Sequence, residues 1–474
     1  KAACDALWAR WPDMYTIGGG LNLPMIGEFE RTSTATVHAY VQPIMRRYLT
    51  SLDREVRIAG YSRSPAIVQC NGGIMALAHA VALPANTVRS GPAAGVIAGA
   101  ALATQAGFPN AITGDIGGTS FDVALVVDGS PVLTEEKLID FRIPVRVPTI
   151  DVETIGAGGG SLARIDEAGI LRVGPESAGA APGPACYGRG GELPTVTDAN
   201  VTLGRIDAAR PIGGNRLHLD ADLSTVAIQR HIAIPLGISV EEAAEAILRV
   251  VDSRMAGMAR LMSVGRGHDP RDFAYIAFGG AGPLHAAAII AEVGIPRAIV
   301  PLFPGCTSAI GCLEADVQYD FLLNVGCLLS DADLTNLGDE IAIRHAEGAQ
   351  LIADSSVPVT SVEVGVKAEM HFQGQRHPIS VTLQLPLEAL AIEAAFHAAY
   401  HQRYGTDLNG IPVLVQMTIR VIGRRPRREL DLPEPPSETW NTAISQTRQV
   451  YFDGTWYQTP VLLREHLRPG MCGI

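Results

Sequence analysis

The stretch Thr113-Gly114-Asp115-Ile116-Gly117-Gly118-Thr119-Ser120-Phe121-Asp122-Val123 decides how this chain is read. Apolar Ala111 and Ile112 lead into it, and the β-type run Val123 to Val127 leads out. The pattern predicts two strands joined by a tight glycine turn that carries an acid, two hydroxyls and a second acid. Gly117 and Gly118 let the backbone approach a ligand and turn its N–H groups toward an anion. Thr119 and Ser120 add donors, while Asp115 and Asp122 suit a hydrated Mg²⁺ or an oriented water. Such residues equip a nucleotide phosphate site; an ordinary glycine hairpin is the competing reading.

A second glycine turn lies downstream. Phe273 to Phe278 predicts a strand, Gly279 to Gly282 a turn, and Pro283 to Val293 a helix with proline at its start. Arg297 to Pro301 predicts the next strand, so this is a strand–helix–strand unit of the parallel α/β kind. A Gly-rich strand-to-helix turn admits flat adenine against backbone, and a helix N-terminus favours negative charge. A tight βα turn without a ligand is the bland alternative. Between the two turns, Ser239 and Glu242 form a capping box that opens a long helix to about Val264. Its stripe of Ile247, Val251, Met255 and Met262 reads as core. Two glycine turns, one in a hairpin and one at a helix start, with a long helix between them, make the layout of the actin/sugar-kinase/Hsp70 ATPase fold.

Other segments read as framework or stay open. Thr34 to Leu52 predicts a helix with Pro43 as a kink, and Ser90-Gly91-Pro92 opens an Ala/Gly-rich helix that should be buried. Ile155-Gly156-Ala157-Gly158-Gly159-Gly160-Ser161 looks like a dinucleotide fingerprint, but the short alternating segment after it is no long helix. Residues 174–198 read as a long loop, functional or merely irregular. After about residue 325 the alternation Val362, Val364, Val366, Ala368, Met370, Phe372 predicts a half-buried strand. A helix (387–404), a strand (413–421) and a Pro/Arg/Glu linker (424–436) follow. A boundary near 340 would divide an ATPase-like domain, 1–340, from a β-rich α+β domain, 341–474.

Among candidate side chains, His285 could touch a ribose or phosphate, or could be a capping or core histidine. His397 and His401 stand at zinc-chelating spacing on a predicted helix, yet Ala398 replaces a zinc-protease acid. Cys186 reads as a packed thiol rather than a nucleophile. Asp198 either caps the next helix or touches metal or substrate.

Composition narrows the class. The chain has 474 residues, 47% hydrophobic and 18% charged, with 50 Gly and 31 Pro, and reads as turn-rich, globular and of two to four domains. A net charge of −12 argues against a nucleic-acid or anionic-lipid partner. Seven dispersed cysteines without a C-x-x-C pair suit a reducing cytoplasm. No apolar run reaches membrane-spanning length, so a soluble protein is expected.

Several motifs together resemble the A-type subunits of the hydantoinase/5-oxoprolinase family, which includes the ATP-binding subunits of acetone and acetophenone carboxylases. They are Ser90–Gly95, Asp115–Asp122, Gly156–Ser161, Val173–Gly179, Pro182–Gly188, Thr195–Asn200 and Gly279–His285, all in the family's order. The resemblance implies ATP-dependent activation of a lactam or hydantoin carbonyl through a phosphorylated imidate, usually with a B-type partner in a hetero-oligomer. It implies Gly117, Gly118, Thr119 and Ser120 as phosphate donors, Asp115 and Asp122 in catalysis with Asp115 on Mg²⁺, and Gly279, Gly280 and Gly282 near adenosine. One departure stands out. The family carries an earlier Asp-Gly-Gly-Thr hairpin, whereas Gly18-Gly19-Gly20 lacks the acid and the threonine. The expectation is therefore a piece of a longer protein that binds nucleotide weakly and is inactive alone.

Overall fold

The computed structural model describes residues 2–24, 27–139, 142–214, 216–406, 408–426, 440–468 and 470–471. Most of the expected linker at 424–436 lies outside them. By its internal contacts the chain divides into two compact units: Lys1–Ile97, Leu133–Asp151 and Ser308–Arg427, and Ala98–Val132, Val152–Thr307 and Arg428–Ile474.

In chain order the elements used below are α1 (Glu28–Ile58), β1 (Ala66–Val68), β2 (Ile74–Ala76), α2 (Ser90–Gln105), β3 (Ala111–Ile116), β4 (Phe121–Val127) and β5 (Val152–Ile155). Then come α3 (Val196–Thr202), α4 (Val240–Ser263), β6 (Ala274–Phe278), α5 (Gly282–Val293), β7 (Ala298–Ile299) and β8 (Val317–Leu328). The last are α6 (Leu334–Asp354), β9 (Ser361–Phe372), β10 (Ile379–Leu383), α7 (Ala389–Tyr404) and β11 (Pro412–Arg424). The α/β class expected from the sequence holds.

The second unit is built on a sheet of order β5-β4-β3-β6-β7. β3 and β4 form the expected antiparallel hairpin, while β6 lies parallel to β3 and β7 parallel to β6. β3 and β6 are almost wholly buried, which explains their near-continuous apolar runs. The capping box is present: Ser239 Oγ accepts from the Glu242 N–H at 3.2 Å, and Glu242 accepts from the Ser239 N–H at 2.8 Å. Ala243, Ile247, Val251, Met255, Ala259 and Met262 of α4 are buried in one core with Ile112, Phe121, Val123 and Tyr275. The methionine stripe is therefore core.

The first unit carries a sheet of order β1-β2-β8-β11-β9-β10. One face of β9 and β11 (Val366, Ala368, Met370, Met417, Ile419) packs with Ile341 of α6 and Ile392 and Phe396 of α7. Residues on both sides of position 340 share this sheet, because β8 precedes that position and β9 to β11 follow it. A change of hydrophobic period marks where one type of element ends; it carries no information on which strands pair. β2 lies beside β8, with Ile74 paired with Val317. α1 runs on through Pro43 over 31 residues, longer than the expected 34–52. Among the described residues no single helix is long and apolar enough to cross a membrane.

Candidate functional site

Parallel pairing of β3 with β6 sets the site. The register places Asp115 beside Phe278, so the turns that follow the two strands emerge side by side. That is the carboxyl edge of a parallel pair, where open α/β sheets bind ligands. The hairpin turn is closed by the Gly117 N–H donating to the Ser120 carbonyl at 3.1 Å. Gly118 and Thr119 are exposed, and Cβ atoms at Gly117 or Gly118 would meet only open space.

The second turn fits tightly against the first. Gly279 has φ +84°, and a Cβ there would collide with the Asp115 carboxylate and the Ile116 carbonyl. Only glycine suits both demands. The Ala281 N–H donates to the Ile116 carbonyl at 2.9 Å, and Gly280 is open. Gly282 begins α5, with Pro283 in its first turn. The expected site residues thus converge: Asp115, Gly117, Gly118, Thr119, Ser120 and Asp122 in one hairpin, and Gly279, Gly280 and Gly282 in the neighbouring turn.

Sequence reasoning missed a third loop. The Gly159 N–H donates to the Gly117 carbonyl at 3.0 Å and the Gly160 N–H to the Gly118 carbonyl at 2.6 Å. A Cβ at Gly158 would lie 2.8 Å from the Gly117 oxygen and 2.9 Å from the Thr119 nitrogen. The glycines that resemble a dinucleotide fingerprint instead clamp the hairpin turn from behind, and a strand (Ser161–Ile165) follows them. The Gly159 carbonyl in turn accepts from the Thr197 N–H at 2.7 Å and its Oγ1 at 2.8 Å at the start of α3. The run Gly158-Gly159-Gly160 was the available signal.

The acids are set by the hairpin. Asp115 and Asp122 are directly opposed across β3 and β4, and Thr154 Oγ1 of β5 donates to Asp122. Opposed like charges destabilise a strand pair unless a cation or proton intervenes. Beneath Gly114 lies the Tyr275 hydroxyl, wholly buried and without a hydrogen-bond partner among the described residues. Burial, and after it the charges of Asp252 and Asp115, push its pKa up. Further in, His285 Nδ1 meets Asp252 Oδ1 at 2.6 Å. His285 is 1% exposed, so of its open readings the core one is observed.

The remaining candidates resolve as framework. Asp198 accepts from the Ala185 N–H (3.2 Å), Cys186 N–H (2.8 Å), Thr195 N–H (2.9 Å), Thr195 Oγ1 (2.7 Å) and Ser224 Oγ (2.9 Å). Those five donors occupy a carboxylate's roughly four lone-pair sites and leave none for a metal. Thr195 caps α3, and Asp198, at the third position of the helix, completes the capping box and pins the long loop. Cys186 is buried, and burial followed by the Asp198 charge holds its thiol pKa far above the usual value. His397 packs against Phe372, and His401 is exposed. Among the described residues no group of three or more metal-ligating side chains occurs.

A glycine-turn site at the carboxyl edge of an α/β sheet defines a class of ligand-binding protein. The hydantoinase/oxoprolinase family profile matches residues 31–321, and the chain belongs to that family. It is 35% identical to the caprolactamase subunit alpha of Pseudomonas jessenii over 98% of its own length and 68% of the relative's. It is 33% identical to the acetophenone carboxylase gamma subunit of Aromatoleum aromaticum over 94% and 63%. The crystal structure of the ATP-dependent caprolactamase from Pseudomonas jessenii superposes with a TM-score of 0.84 at 34% identity, covering 98% of this chain and 69% of that one. The chain thus spans about two thirds of the length of these relatives.

Proposed function

We propose that the chain is the nucleotide-binding part of an ATP-dependent enzyme that opens cyclic amides, working with a B-type subunit in a hetero-oligomer. The observation that carries this reading is the convergence of the Asp115 and Gly279 turns at one strand edge. The relatives are named as caprolactamase and acetophenone carboxylase subunits, and the related solved structure as ATP-dependent.

A lactam carbonyl is stabilised by resonance and reacts slowly with water. Attack of its oxygen on the γ-phosphorus of ATP releases ADP and gives a phosphorylated imidate. Water then adds to the carbon, the ring nitrogen leaves as an amine, and a second water converts the acyl phosphate to carboxylate and phosphate. The protein's part in such a transfer is positioning and charge neutralisation. The exposed backbone of Gly117 and Gly118, with the Thr119 and Ser120 hydroxyls, would cradle the phosphates. Gly279, Gly280 and Gly282 would flank adenosine. Asp115 and Asp122 would be the residues to hold Mg²⁺, whose charge would offset that of the phosphates.

The kinship to an acetophenone carboxylase subunit favours one second reading, in which the same phosphate site makes an enol phosphate from a ketone. ADP release by the complete enzyme with its partner, assayed with 5-oxoproline, hydantoins and acetophenone, separates the two; bicarbonate dependence selects the carboxylase. Asp115→Asn should lower turnover by roughly 10²-fold or more. Unchanged turnover would leave a non-catalytic scaffold as the better account.

A further inference from the structure

Beneath the two glycine turns of the second unit lies a buried polar layer that the proposed chemistry does not use. Asp252 of α4 and His285 of α5 meet through Oδ1 and Nδ1 at 2.6 Å, and the two residues are only 7% and 1% exposed. A carboxylate accepts, so the ring nitrogen facing it is the donor. The other ring nitrogen, Nε2, is buried without a partner among the described residues. So is the Tyr275 hydroxyl, which lies over Gly114 and feels the charge of Asp252. Buried polar groups are nearly always satisfied, and each exception asks for a reason.

Stability does not supply that reason. Unsatisfied buried groups are costly, and replacing a buried charged pair by apolar side chains of similar volume is often neutral or stabilising. Direction does supply one. Val251, Met255 and Ala259 of α4 share an apolar core with Ala286 and Ile289 of α5. Packed helices can slide past one another by about 1–2 Å, and apolar contacts alone do not fix the register. Toward the exposed far end of α5, Glu292 accepts from Ser253 Oγ at 3.0 Å and from Arg260 at 3.4 Å. Among the described residues, the Asp252–His285 bond is the one polar tie between the buried faces of these helices. It stands within the first turn of α5, just behind Gly279–Gly282. There the fit has no slack, because a Cβ at Gly279 would collide with the Asp115 carboxylate and the Ile116 carbonyl.

We propose that Asp252 and His285 are positioning residues of the nucleotide site. Neither touches the ligand; together they hold the first turn of α5 so that Gly279, Gly280 and Gly282 keep their place beside the hairpin. The inference rests on the proposed function for the identity of what binds there, and adds that two core side chains set its affinity.

The test uses the complete protein and two variants. Asp252→Leu combined with His285→Leu removes both polar partners at once, strands no charge, and should keep a urea midpoint close to the parent's. His285→Asn keeps an amide donor near the Nδ1 position. Calorimetry should show MgATP binding weakened at least about tenfold in the double variant, and within about threefold of the parent in His285→Asn. Hydrogen exchange over residues 279–285, followed without nucleotide by mass spectrometry, should be at least about tenfold faster in the double variant and near the parent's in His285→Asn. Should the double variant not fold, His285→Gln, whose amide sits at the Nε2 rather than the Nδ1 position, takes its place with the same expected losses. Parental MgATP affinity in the folded double variant, or unchanged exchange over 279–285, would overturn the inference and leave the pair as packing. Equal losses in His285→Asn and the double variant would overturn the Nδ1 bond as the cause. A parent that binds no MgATP, with exchange responding as expected, would sink the nucleotide reading and leave the tie to α5 standing. MgATP binding in the parent with no response to the variants would do the reverse.

Discussion

Two methyl groups, added on opposite sides of one backbone contact, should separate folding from ligand binding at the hairpin turn. At Gly158 a Cβ lies 2.8–2.9 Å from the Gly117 oxygen, the Gly118 carbonyl carbon and the Thr119 nitrogen. Those are backbone atoms and cannot swing aside. The loop must back away, straining the Gly159 and Gly160 hydrogen bonds of 3.0 and 2.6 Å. Overpacking of this kind costs about 1–3 kcal/mol, so Gly158→Ala should lower the urea midpoint of the second unit. At Gly118 a Cβ meets nothing within 4 Å, and Gly118→Ala should stay within about 0.5 kcal/mol of the parent. If a phosphate rests on that bare backbone, the same methyl displaces it. Loss of one charge-assisted hydrogen bond, about 1.5–3 kcal/mol, corresponds to a roughly 10- to 150-fold weaker Kd for MgATP. Urea unfolding and calorimetric titration of both variants, in the complete protein, provide the comparison. Equal MgATP affinity in Gly118→Ala and the parent would refute the phosphate assignment. An undiminished midpoint in Gly158→Ala would refute the clamping role of the third loop.

Three further outcomes are expected. Asp198→Ala strands buried donors that each cost about 1–3 kcal/mol, so the second unit should lose stability severely with no change in bound metal. Glu135 has a folded-state pKa near 7, above its ordinary 4.5, with Asp320, Glu369, Lys367 and Arg420 as its charged neighbours. Between those values the native state holds more protons than the unfolded one, so stability should fall as pH rises from 5 to 8. Glu135→Gln should flatten that part of the profile, and an unchanged slope would remove Glu135 as its source. In native protein a thiol reagent should label the exposed Cys306 and Cys312 well before the buried Cys186, as mass spectrometry of timed samples can show.

Local chemistry was what the sequence made legible. The capping box at Ser239, the methionine stripe of α4, the proline start of α5 and the hairpin around Gly117 all depend on neighbours within a few residues, and all stand where expected. The family, too, could be read from ordered motifs. Nothing local says that Asp115 lies beside Phe278, because that contact closes a loop of more than 150 residues through parallel pairing. For the same reason the glycines at 158–160 looked like a failed fingerprint until their hydrogen bonds to Gly117 and Gly118 were seen. The alternation in β9 was likewise visible, but not that α6 and α7 pack on its apolar face. Periodicity reports that two faces differ; only the tertiary packing of residues distant in the chain decides what covers each one.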